Sequence, residues 1–568
     1  MAKSYFHRGG DMPLLGVTIP EHFADIVARF PDQIAVISDP QKLQLTYSQL
    51  SEQIDQVAKG LISSGFGKGD RIGIWSTNNL QWILIQMATA RVGAILVNIN
   101  PAYRLQELEY ALKQARVQCL ITIPSFKSSH YLDMLVELCP ELQQCQGENI
   151  KTEALPDLCR IIVYDPVAPD QTMIPCTGFT SWQTFIAAAK DTSQNDLDLV
   201  TAGLDVDDAI NIQYTSGTTG FPKAVVLTHH NILNNAWFSA LAMHFDEQDS
   251  LCIAVPFYHC FGMVIANLLC FSVGACAVIA CEYFDAEAVL KAVEIYHCTA
   301  LHGVPTMFIA ELEHENFKHY QLATLRTGIM AGAPCPPELM QRVMEDMHCP
   351  EILIGYGETE ASPLTHLTTR EDSLQWRTQT VGHNLPYQEV KIINIEDQKT
   401  IPIGEAGEIC FRGYHIMQGY YNNPEATANA IDAQGWLHSG DLGVMDKDGY
   451  ISITGRLKDM IIRGGENIYP REIEDFIFTH PKVAEVAVFG VPDEFYGEEL
   501  VAWIQLHESV HCEEEEIREF CRGKLSHFKI PHYIRFVNEF PMTVTGKLQK
   551  YQMRKLMIKI LENQSLQS

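Results

Sequence analysis

Residues 209–228 read AINIQYTSGTTGFPKAVVLT, two apolar runs joined by a loop rich in glycine and hydroxyl groups. The runs at 209–214 and 224–228 are typical of strands, so the loop is predicted to connect two strands directly. Glycines permit close backbone approach, hydroxyls and amides donate to anionic oxygens, and Lys223 adds a positive charge. The loop from Thr215 to Lys223 therefore suits phosphate binding.

This loop differs from a Walker A loop. The pattern G-x-x-x-x-G-K-[ST] occurs nowhere in the chain, and the residues after Lys223 are predicted to form a strand instead of a helix. Taken alone, the loop is also compatible with an exposed surface turn, so its assignment depends on the rest of the chain.

Helix-like and strand-like patterns alternate on both sides of the loop. The predicted helices cover residues 46–64, 80–92, 105–115, 286–297 and 337–347. The predicted strands cover residues 71–75, 94–99, 119–123, 300–302 and 352–354. Such alternation is typical of parallel sheets with helices on both faces, which predicts two doubly wound α/β subdomains.

The pattern changes after Thr380. Short β-type runs at 389–395, 407–412 and 449–454 predict a β-rich subdomain that completes a large N-terminal domain, residues 1–456. Residues 457–568 are predicted to form a small C-terminal α/β domain with helices at 470–479 and 512–525 and a strand at 486–489. The fold class is therefore α/β, with the domain boundary close to Lys458.

Length, charge and cysteine usage restrict the class of protein. A chain of 568 residues is too long for one hydrophobic core. A net charge of −29 argues against a nucleic-acid binder and against a polybasic membrane anchor. The 16 cysteines include no C-x-x-C pair, which favours a reduced, cytosolic setting.

One segment is apolar enough to be considered as a membrane span. Residues 252–281 contain no Asp, Glu, Lys or Arg. They do contain Pro256, His259, Asn267 and Gly274, and their second half is typical of a strand. The segment is therefore predicted to be a buried helix followed by a strand, and no transmembrane segment is expected.

Five further motifs follow the loop along the chain. They are PFYHCFG at 256–262, GYGETE at 355–360, GD at 440–441, GRLKD at 455–459 and PMTVTGK at 541–547. Together with residues 214–223, in this order and at this spacing, they resemble the adenylate-forming (AMP-binding) superfamily of acyl-CoA synthetases, peptide-synthetase adenylation domains and beetle luciferases. The resemblance covers nearly the whole chain.

The resemblance implies a set of ATP contacts. The loop would hold the β- and γ-phosphates through Thr215, Ser216, Gly217, Thr218, Thr219, Gly220, Phe221, Pro222 and Lys223. The stretch of Gly332, Ala333 and Pro334 matches the adenine-pocket backbone. Tyr356, which precedes Gly357, offers an aromatic face to the base, and Thr359 would hydrogen-bond the α-phosphate.

The remaining nucleotide contacts follow from the later motifs. Asp441 resembles the residue that accepts hydrogen bonds from both ribose hydroxyls, and Arg456 resembles the residue that braces the ribose. Glu360 is the expected Mg²⁺ contact, since a carboxylate oxygen suits a hard cation. Glu358 is interpreted as a neighbouring structural carboxylate.

Lys547 is the strongest catalytic candidate. Attack of a carboxylate on the α-phosphorus builds negative charge on nonbridging oxygens, and an ammonium between the two groups orients them and stabilises that charge. The flanking Thr545 and Gly546 match the family loop that carries this lysine. A solvated lysine is the alternative interpretation.

The resemblance also implies a mobile C-terminal domain. Lys458 lies where the family has its hinge, and the swing would present Gly464 and Gly465 to the tunnel through which coenzyme A arrives. A simple turn is the alternative for the two glycines. His259 matches a position that borders the carboxylate and thiol routes, although a buried, hydrogen-bonded histidine is nearly as well supported.

Three segments point to a fatty-acyl member of the superfamily. Residues 70–76, 93–103 and 256–262 resemble the medium-chain enzymes called acyl-CoA synthetase family member 2 and their bacterial relatives. The implied activity is an ATP-dependent fatty acid–CoA ligase that uses ATP, Mg²⁺ and coenzyme A. The apolar run 261–269 is a candidate acyl slot, though core packing explains it equally well. A bacterial cytoplasmic protein is expected, and a homodimer is left open.

Five other activities compete with this interpretation. An enzyme that loads a carrier protein would need a separate carrier. A luciferase-like oxygenase matches the segments less well, and a non-catalytic acyl-nucleotide binder should lack Lys547, Glu360 or Asp441, all of which are present. A serine hydrolase would need G-x-S-x-G, which is absent, and residues 314–319 miss the spacing of a zinc helix.

Overall fold

The computed structural model describes residues 2–145, 150–169, 174–215, 222–463, 466–493, 495–542 and 548–565. It divides into two compact units. The larger unit consists of His7–Glu389 and Phe411–Leu437, and the smaller unit consists of Met1–Phe6, Val390–Cys410 and His438–Ser568.

One sheet of the larger unit carries the phosphate-loop candidate. In the described part of the chain it has eight strands, in the order Thr180–Ser181, Arg160–Val163, Cys119–Thr122, Arg71–Trp75, Ile95–Ile99, Ala209–Thr215, Lys223–Thr228 and Gly419–Tyr420. The first six strands are parallel to one another, and the last two pair antiparallel. The predicted strand–loop–strand connection therefore lies where the parallel part of the sheet ends.

A second sheet of the larger unit has nine strands among the described residues. Their order is His383–Asn384, Leu364–Leu367, Glu351–Gly357, Thr327–Ala331, Ala300–Leu301, Ser250–Ile253, Cys276–Ile279, Ile34–Ser38 and Leu43–Thr46. The six strands from Glu351–Gly357 to Ile34–Ser38 are parallel. A two-stranded ribbon joins Ser125–Phe126 to Ser129–His130.

Helices of the larger unit connect these strands. The α-helices are Ile19–Arg29, Tyr47–Ser63, Leu80–Val92, Leu105–Gln114, Tyr131–Leu138, Trp182–Ala187, Gln194–Ala202, His229–Ala242, Cys260–Gly262, Leu269–Val273, Ala286–Tyr296, Pro305–Leu312, Pro337–Glu345, Leu374–Gln379 and Pro424–Ala430. Short 3₁₀ turns occur at Pro140–Gln143, Ala188–Asp191, Phe317–His319 and Thr359–Ala361.

Capping and burial explain why two of these helices form where the sequence predicts them. Helix Tyr47–Ser63 begins after Thr46, whose side chain accepts the Gln49 N–H in a capping box. Helix Leu80–Val92 begins after Asn79, which caps the Trp82 N–H, and ends at Gly93 in the left-handed conformation. Nearly every residue of this second helix is buried, which explains why its sequence is mostly apolar and lacks a polar face.

The smaller unit contains most of a five-stranded sheet and an α/β part. The sheet has the order Tyr5–His7, Gln388–Ile393, Ala406–Gly413, Leu437–Met445 and Ile451–Arg456. The α/β part has strands Glu466–Ile468, Ile461–Arg463, Gly497–Leu506, Val483–Asp493 and Tyr533–Phe536, with helices Pro470–Phe478, Glu514–Cys521 and Lys550–Ser565. Short 3₁₀ turns occur at Leu457–Asp459 and His527–Lys529.

The apolar segment 252–281 is folded into the larger unit. It forms helix Cys260–Gly262, a π-helical turn at Met263–Leu268, helix Leu269–Val273 and strand Cys276–Ile279. Residues Met263 to Leu268 are all buried. Across the described chain, no helix has both the length and the apolar character needed to cross a bilayer, which agrees with the predicted helix and strand.

Predicted element ends differ from the observed ends by a few residues. The helix predicted at 512–525 covers only Glu514–Cys521, because Arg522 leaves the helical conformation with ψ 132°. The helix predicted at 337–347 ends at Glu345, and His348 then takes a positive φ of 57°. Such ends are set by single-residue backbone changes that the apolar pattern does not report.

Candidate active site

The two ends of the phosphate-loop candidate are fixed by strand pairing. Thr215 and Lys223 are partners in the antiparallel ladder between Ala209–Thr215 and Lys223–Thr228. The Pro222 carbonyl accepts a 3.1 Å hydrogen bond from the Tyr110 hydroxyl. Ser216, Gly217, Thr218, Thr219, Gly220 and Phe221 lie outside the described residues. The register nevertheless presents Lys223 at the end of the loop, as the sequence predicts.

Lys223 and Glu360 are linked through Tyr420. The Lys223 Nζ lies 4.7 Å from the centroid of the Tyr420 ring, which is cation–π distance. The Tyr420 hydroxyl donates a 2.8 Å hydrogen bond to Glu360 Oε1. One tyrosine thus contacts both the lysine that ends the loop and the carboxylate predicted to bind Mg²⁺.

Sequence reasoning missed Tyr420. It belongs to strand Gly419–Tyr420, which pairs with strand Lys223–Thr228 and so lies beside the loop. Burial raises the pKa of the Tyr420 hydroxyl well above its ordinary value, and the adjacent Glu360 carboxylate raises it further. The hydroxyl therefore remains a proton donor at neutral pH. Gly419 and Tyr420 precede helix Pro424–Ala430, and nothing in the sequence around them predicts this contact.

Glu360 is also held by the backbone. It lies in the 3₁₀ turn Thr359–Ala361, and its carbonyl accepts a 2.9 Å hydrogen bond from the Met417 N–H. The turn follows strand Glu351–Gly357 after one intervening residue, Glu358. The hydrogen bonds to its carbonyl and to Oε1 orient the Glu360 carboxylate. A carboxylate oxygen is a suitable ligand for a hard cation such as Mg²⁺.

The predicted adenine contacts lie at one sheet edge. Strands Thr327–Ala331 and Glu351–Gly357 are parallel neighbours in which Ala331 pairs with Gly355. Gly332, Ala333 and Pro334 continue from the first strand as exposed residues, and Tyr356 is the half-buried penultimate residue of the second strand. Ligands of open α/β sheets bind beyond the carboxyl ends of such strands, so the register supports a shared contact surface.

Close packing fixes the backbone beside Tyr356. Gly357 pairs with Leu364, and a Cβ atom at Gly357 would lie 1.9 Å from the Pro363 carbonyl oxygen. Only glycine fits such an approach. The Tyr356 ring lies 6.1 Å from the His366 ring and 6.2 Å from the Phe411 ring, which support it from behind the strand.

Thr359 contacts the segment that carries His259. Its side chain hydrogen-bonds the Cys260 thiol, and that thiol also donates to Gln213 Oε1 at 2.9 Å. Burial raises the pKa of Cys260, so the thiol stays protonated and inert. Cys260 therefore anchors His259 beside the predicted α-phosphate contact.

His259 caps the short helix Cys260–Gly262. Its Nδ1 accepts a 3.2 Å hydrogen bond from the Phe261 N–H, and the side chain is half-buried. A turn this tight requires glycine at its end, because a Cβ atom on Gly262 would lie 2.2 Å from the Pro256 carbonyl oxygen. The structure thus gives His259 a capping contact, and a gating role stays a prediction.

The two predicted ribose residues meet in the smaller unit. Asp441 and Arg456 are partners in the antiparallel ladder of strands Leu437–Met445 and Ile451–Arg456, and their side chains form an ion pair at 3.0 Å. Lys458, the predicted hinge residue, lies exposed in the 3₁₀ turn Leu457–Asp459 that follows directly.

Besides the six loop residues, Gly464, Gly465 and Lys547 are predicted site residues that fall outside the described residues. Gly464 and Gly465 lie between the paired strands Ile461–Arg463 and Glu466–Ile468. Lys547 lies between Met542 and Leu548, which form an antiparallel bridge.

A buried ion pair lies next to Gly464. Arg463 makes two hydrogen bonds, of 2.6 and 2.9 Å, to the carboxylate of Glu499. These bonds raise the pKa of the Arg463 guanidinium, which remains charged. The end of the strand that precedes the two glycines is therefore rigidly held.

The geometry of the larger unit defines a class of protein. A strand-to-strand loop ending in a lysine, a carboxylate on a short turn, and aromatic and glycine residues at the carboxyl ends of parallel strands form a site suited to a nucleotide and a divalent cation.

The chain belongs to the AMP-binding enzyme family, which matches residues 23–421, and the AMP-binding enzyme C-terminal domain matches residues 472–547. It is 46% identical to the protein YngI of Bacillus subtilis over 98% of this chain and 100% of that protein. It is 39% identical to the mitochondrial medium-chain acyl-CoA ligase ACSF2 of Danio rerio over 98% of this chain and 90% of that protein. The protein is thus an enzyme of the acyl-CoA synthetase group, of the acid–thiol ligase class.

A solved structure confirms the predicted fold class. ATP-bound MatB from Rhodopseudomonas palustris superposes with a TM-score of 0.81 at 26% identity, covering 95% of this chain and 99% of MatB. The predicted mixed α/β architecture with a large N-terminal domain and a small C-terminal domain is therefore confirmed, and the family matches confirm the resemblance to the AMP-binding superfamily.

Proposed function

We propose that the protein is an ATP-dependent fatty acid–CoA ligase, with medium-chain acids as substrates, that works through an acyl-adenylate and releases AMP and pyrophosphate. The observation that carries the proposal is the contact of Tyr420 with both Lys223 and Glu360, because it joins a phosphate-binding lysine to a cation-binding carboxylate. The name of the ACSF2 relative, a medium-chain acyl-CoA ligase, supports the choice of acid.

The ATP contacts proposed here are those of the sequence analysis. The loop from Thr215 to Lys223 would bind the β- and γ-phosphates, and Thr359 the α-phosphate. Gly332, Ala333, Pro334, Tyr356 and Gly357 would contact the adenine. Asp441 would accept hydrogen bonds from the ribose hydroxyls and Arg456 would brace the ribose. Their 3.0 Å ion pair supports placing both residues at one site.

Glu360 would bind Mg²⁺, which supplies positive charge to the phosphates and their leaving group. Its Oε1 accepts the Tyr420 hydroxyl and its backbone carbonyl accepts the Met417 N–H, so the carboxylate is oriented before substrates bind.

In the first step, a carboxylate oxygen of the acid bonds to the α-phosphorus as the bond to the pyrophosphate oxygen breaks. Lys547 would lie between the two anions and stabilise the charge on the nonbridging oxygens. In the second step the thiol sulfur of coenzyme A bonds to the acyl carbon, AMP leaves with the carboxylate oxygen, and the thiol proton is lost.

The second step requires a different domain arrangement in this proposal. Residues 1–456 would form the N-terminal domain and residues 457–568 the mobile C-terminal domain, with Lys458 as hinge. Its exposed position on a short turn is compatible with backbone rotation there. Gly464 and Gly465 would face the pantetheine arm, and His259 would position the carboxylate and the thiol.

A cytoplasmic location is proposed from the cysteines. All 16 are free thiols and most are buried. Disulfides are rare in reducing compartments, where buried cysteine serves as a small apolar residue.

The test is pyrophosphate release from ATP and Mg²⁺ across a series of straight-chain carboxylates, with and without coenzyme A. Acid-dependent release, with acyl-CoA formed once the thiol is added, is expected, with a maximum at medium chain lengths. Lys547→Ala should reduce the rate by about 10²- to 10³-fold, the usual cost of one transition-state charge contact. Lys555→Ala, an exposed lysine of the last helix, is the matched control and should retain activity.

Other outcomes would change the proposal. Adenylate formation without transfer to coenzyme A would indicate an enzyme that loads a separate carrier protein. Absence of release with every acid would indicate a non-catalytic acyl-nucleotide binder. If Lys547→Ala releases pyrophosphate at the wild-type rate, Lys547 has no catalytic role in adenylation.

A further inference from the structure

A buried carboxylate in the smaller unit contacts the residues that precede Asp441. Glu408, on strand Ala406–Gly413, is only 6% exposed. Its Oε1 accepts a 3.2 Å hydrogen bond from the Gly440 N–H, and its Oε2 lies 2.9 Å from His438 Nδ1. Burying a carboxylate is costly unless it is hydrogen-bonded, so these contacts are what retain it there.

The contacts of Glu408 fall on the residues that lead into Asp441. Ser439 continues the same arrangement, since its hydroxyl donates to the Ile409 carbonyl at 2.7 Å and accepts the Asp441 N–H at 3.0 Å. Each of residues 438 to 441 is therefore hydrogen-bonded, through a side chain, to strand Ala406–Gly413 or to another of the four residues.

The backbone conformation of Gly440 explains why residues 438 to 441 need these hydrogen bonds. Its φ of 68° lies in the left-handed region, and no atom lies within 4 Å of a Cβ built there. Glycine is thus required by the backbone conformation and not by crowding, and a glycine in this region gains no stability from side-chain packing. The hydrogen bond from its N–H to Glu408 is a contact that selects this conformation over others.

A metal site is the competing interpretation of the same residues. Glu408, Cys410 and His438 bring their donor atoms within 4.8 Å of one another. Two ligands of a tetrahedral Zn²⁺ at about 2.0–2.1 Å lie roughly 3.3 Å apart, whereas Glu408 Oε2 and His438 Nδ1 are 2.9 Å apart. That separation is a hydrogen bond, so the geometry favours a structural role for the pair.

We propose that Glu408 is a positioning residue that fixes the Asp441 carboxylate for the ribose hydroxyls of ATP. It does so through the Gly440 N–H and the His438 ring, without contact with the nucleotide. The inference rests on the proposed function in one respect, the assignment of Asp441 to the ribose. It predicts that loss of Glu408 weakens ATP binding through the ribose and through no other part of the nucleotide.

The experiment is titration calorimetry on the full chain with ATP, 2′-deoxy-ATP and 3′-deoxy-ATP. Glu408→Gln keeps the volume and one acceptor, and it should raise the Kd for ATP on the order of tenfold, the size of one hydrogen bond to a charged group. The same variant should raise the Kd for at least one deoxy nucleotide much less, because the hydroxyl that Asp441 would bind is missing. Ser439→Ala should reproduce this pattern independently.

A matched control separates this role from general loss of stability. Asp249 is a buried carboxylate of the larger unit that also accepts a backbone N–H, from Asp246, and pairs with a cation, Arg326. Asp249→Asn should leave the preference for ATP over the deoxy nucleotides unchanged.

The outcomes distinguish the inference from the proposed function. An equal rise in Kd for all three nucleotides in Glu408→Gln would overturn the positioning role even if the wild type makes acyl-CoA. Selective loss of ribose recognition in Glu408→Gln and in Asp441→Asn would support it even if no acid is activated. If the wild-type chain binds the three nucleotides equally, Asp441 does not bind the ribose hydroxyls, and the inference is wrong.

Discussion

The Asp441 Oδ1 lies 3.0 Å from the Arg456 Nε, and the two residues are also cross-strand partners in one antiparallel ladder. The Arg456 side chain is 49% exposed and the Asp441 side chain 12%. An ion pair with one exposed member contributes about 0–1 kcal/mol to stability. Loss of the Asp441–Arg456 pair should therefore change ATP binding more than it changes the free energy of unfolding.

Arg456→Gln should therefore weaken ATP binding with little change in stability. We expect a rise in the Kd for ATP of about three- to tenfold and a shift below about 0.5 kcal/mol in the free energy of unfolding. In a double-mutant cycle with Asp441→Asn, the two losses should be non-additive by about 0.5–3 kcal/mol, as for residues in one network.

The control for this prediction is Arg412→Gln. Arg412 forms a comparable half-exposed pair with Glu389, at 2.8 Å, in the larger unit and outside the predicted site. Its loss should leave the Kd for ATP unchanged. Additive losses in the cycle of Arg456 and Asp441 would contradict a shared role at the ribose.

Tyr420→Phe should weaken the response to Mg²⁺. The change removes the hydroxyl that donates to Glu360 Oε1 but leaves the ring that faces Lys223. Loss of a partner that orients a metal ligand costs about 10- to 100-fold in metal affinity or activity. We expect the half-saturating Mg²⁺ concentration to rise by about tenfold, measured by pyrophosphate release, with the rate largely restored at high Mg²⁺.

Tyr296→Phe is a matched control for Tyr420→Phe. The Tyr296 hydroxyl donates a 2.7 Å hydrogen bond to Asp39, so this variant loses the same kind of bond away from the predicted site. It should keep the wild-type Mg²⁺ response. A Tyr420→Phe enzyme with an unchanged Mg²⁺ response would argue against Glu360 as the cation ligand.

Local patterns predicted the main elements well. Strand Arg71–Trp75 and helix Leu80–Val92 have the predicted bounds, because a buried strand and a buried, capped helix each leave a mostly apolar segment between polar or glycine residues. The π-helical turn Met263–Leu268 was not predicted, since a single inserted residue per turn does not alter an apolar run.

Contacts between distant segments could not be predicted in the same way. Asp441 and Arg456 were assigned from motifs, but no strand was predicted over Leu437–Met445, so their cross-strand pairing is an observation of the structure. Tyr420 lies 60 residues from Glu360 in sequence, and no periodicity or spacing connects them. Such contacts depend on which strands become neighbours in a sheet, which a single sequence does not specify.

Gly262→Ala should destabilise the segment that carries His259. A Cβ atom there would lie 2.2 Å from the Pro256 carbonyl oxygen and 2.9 Å from the Phe257 Cα, so the backbone would have to move. Overpacking of this kind typically costs about 1–3 kcal/mol. We expect a lower melting temperature and a loss of adenylation activity measured at a temperature where the variant is folded.

Gly67→Ala is the control, because no atom lies within 4 Å of a Cβ built at Gly67. It should be close to wild type in both measurements. A Gly262→Ala enzyme with full activity but reduced stability would show that the position of His259 matters little for the reaction.

Acid should destabilise the protein through His302. Its Nδ1 accepts the Ile329 N–H at 3.0 Å, so Nε2 carries the proton and donates to the Ile265 carbonyl, also at 3.0 Å. Burial lowers the pKa of His302 to about 4 from its ordinary 6.5. A second proton on Nδ1 would break the bond from Ile329, which agrees with the lowered pKa.

The sign of the effect follows from proton uptake. Above pH 6.5 neither state binds the proton and the full stability is present. Between pH 6.5 and about 4 the unfolded chain binds a proton that the native state does not, so stability falls with falling pH. The loss should reach on the order of 3 kcal/mol, since one pKa unit corresponds to 1.36 kcal/mol.

His302→Gln should therefore show a shallower decline of melting temperature between pH 6.5 and 4 than the wild type. The control is His511→Gln, whose side chain is 83% exposed and which should show the wild-type slope. Equal slopes in all three proteins would mean that His302 takes up its proton without cost to the fold.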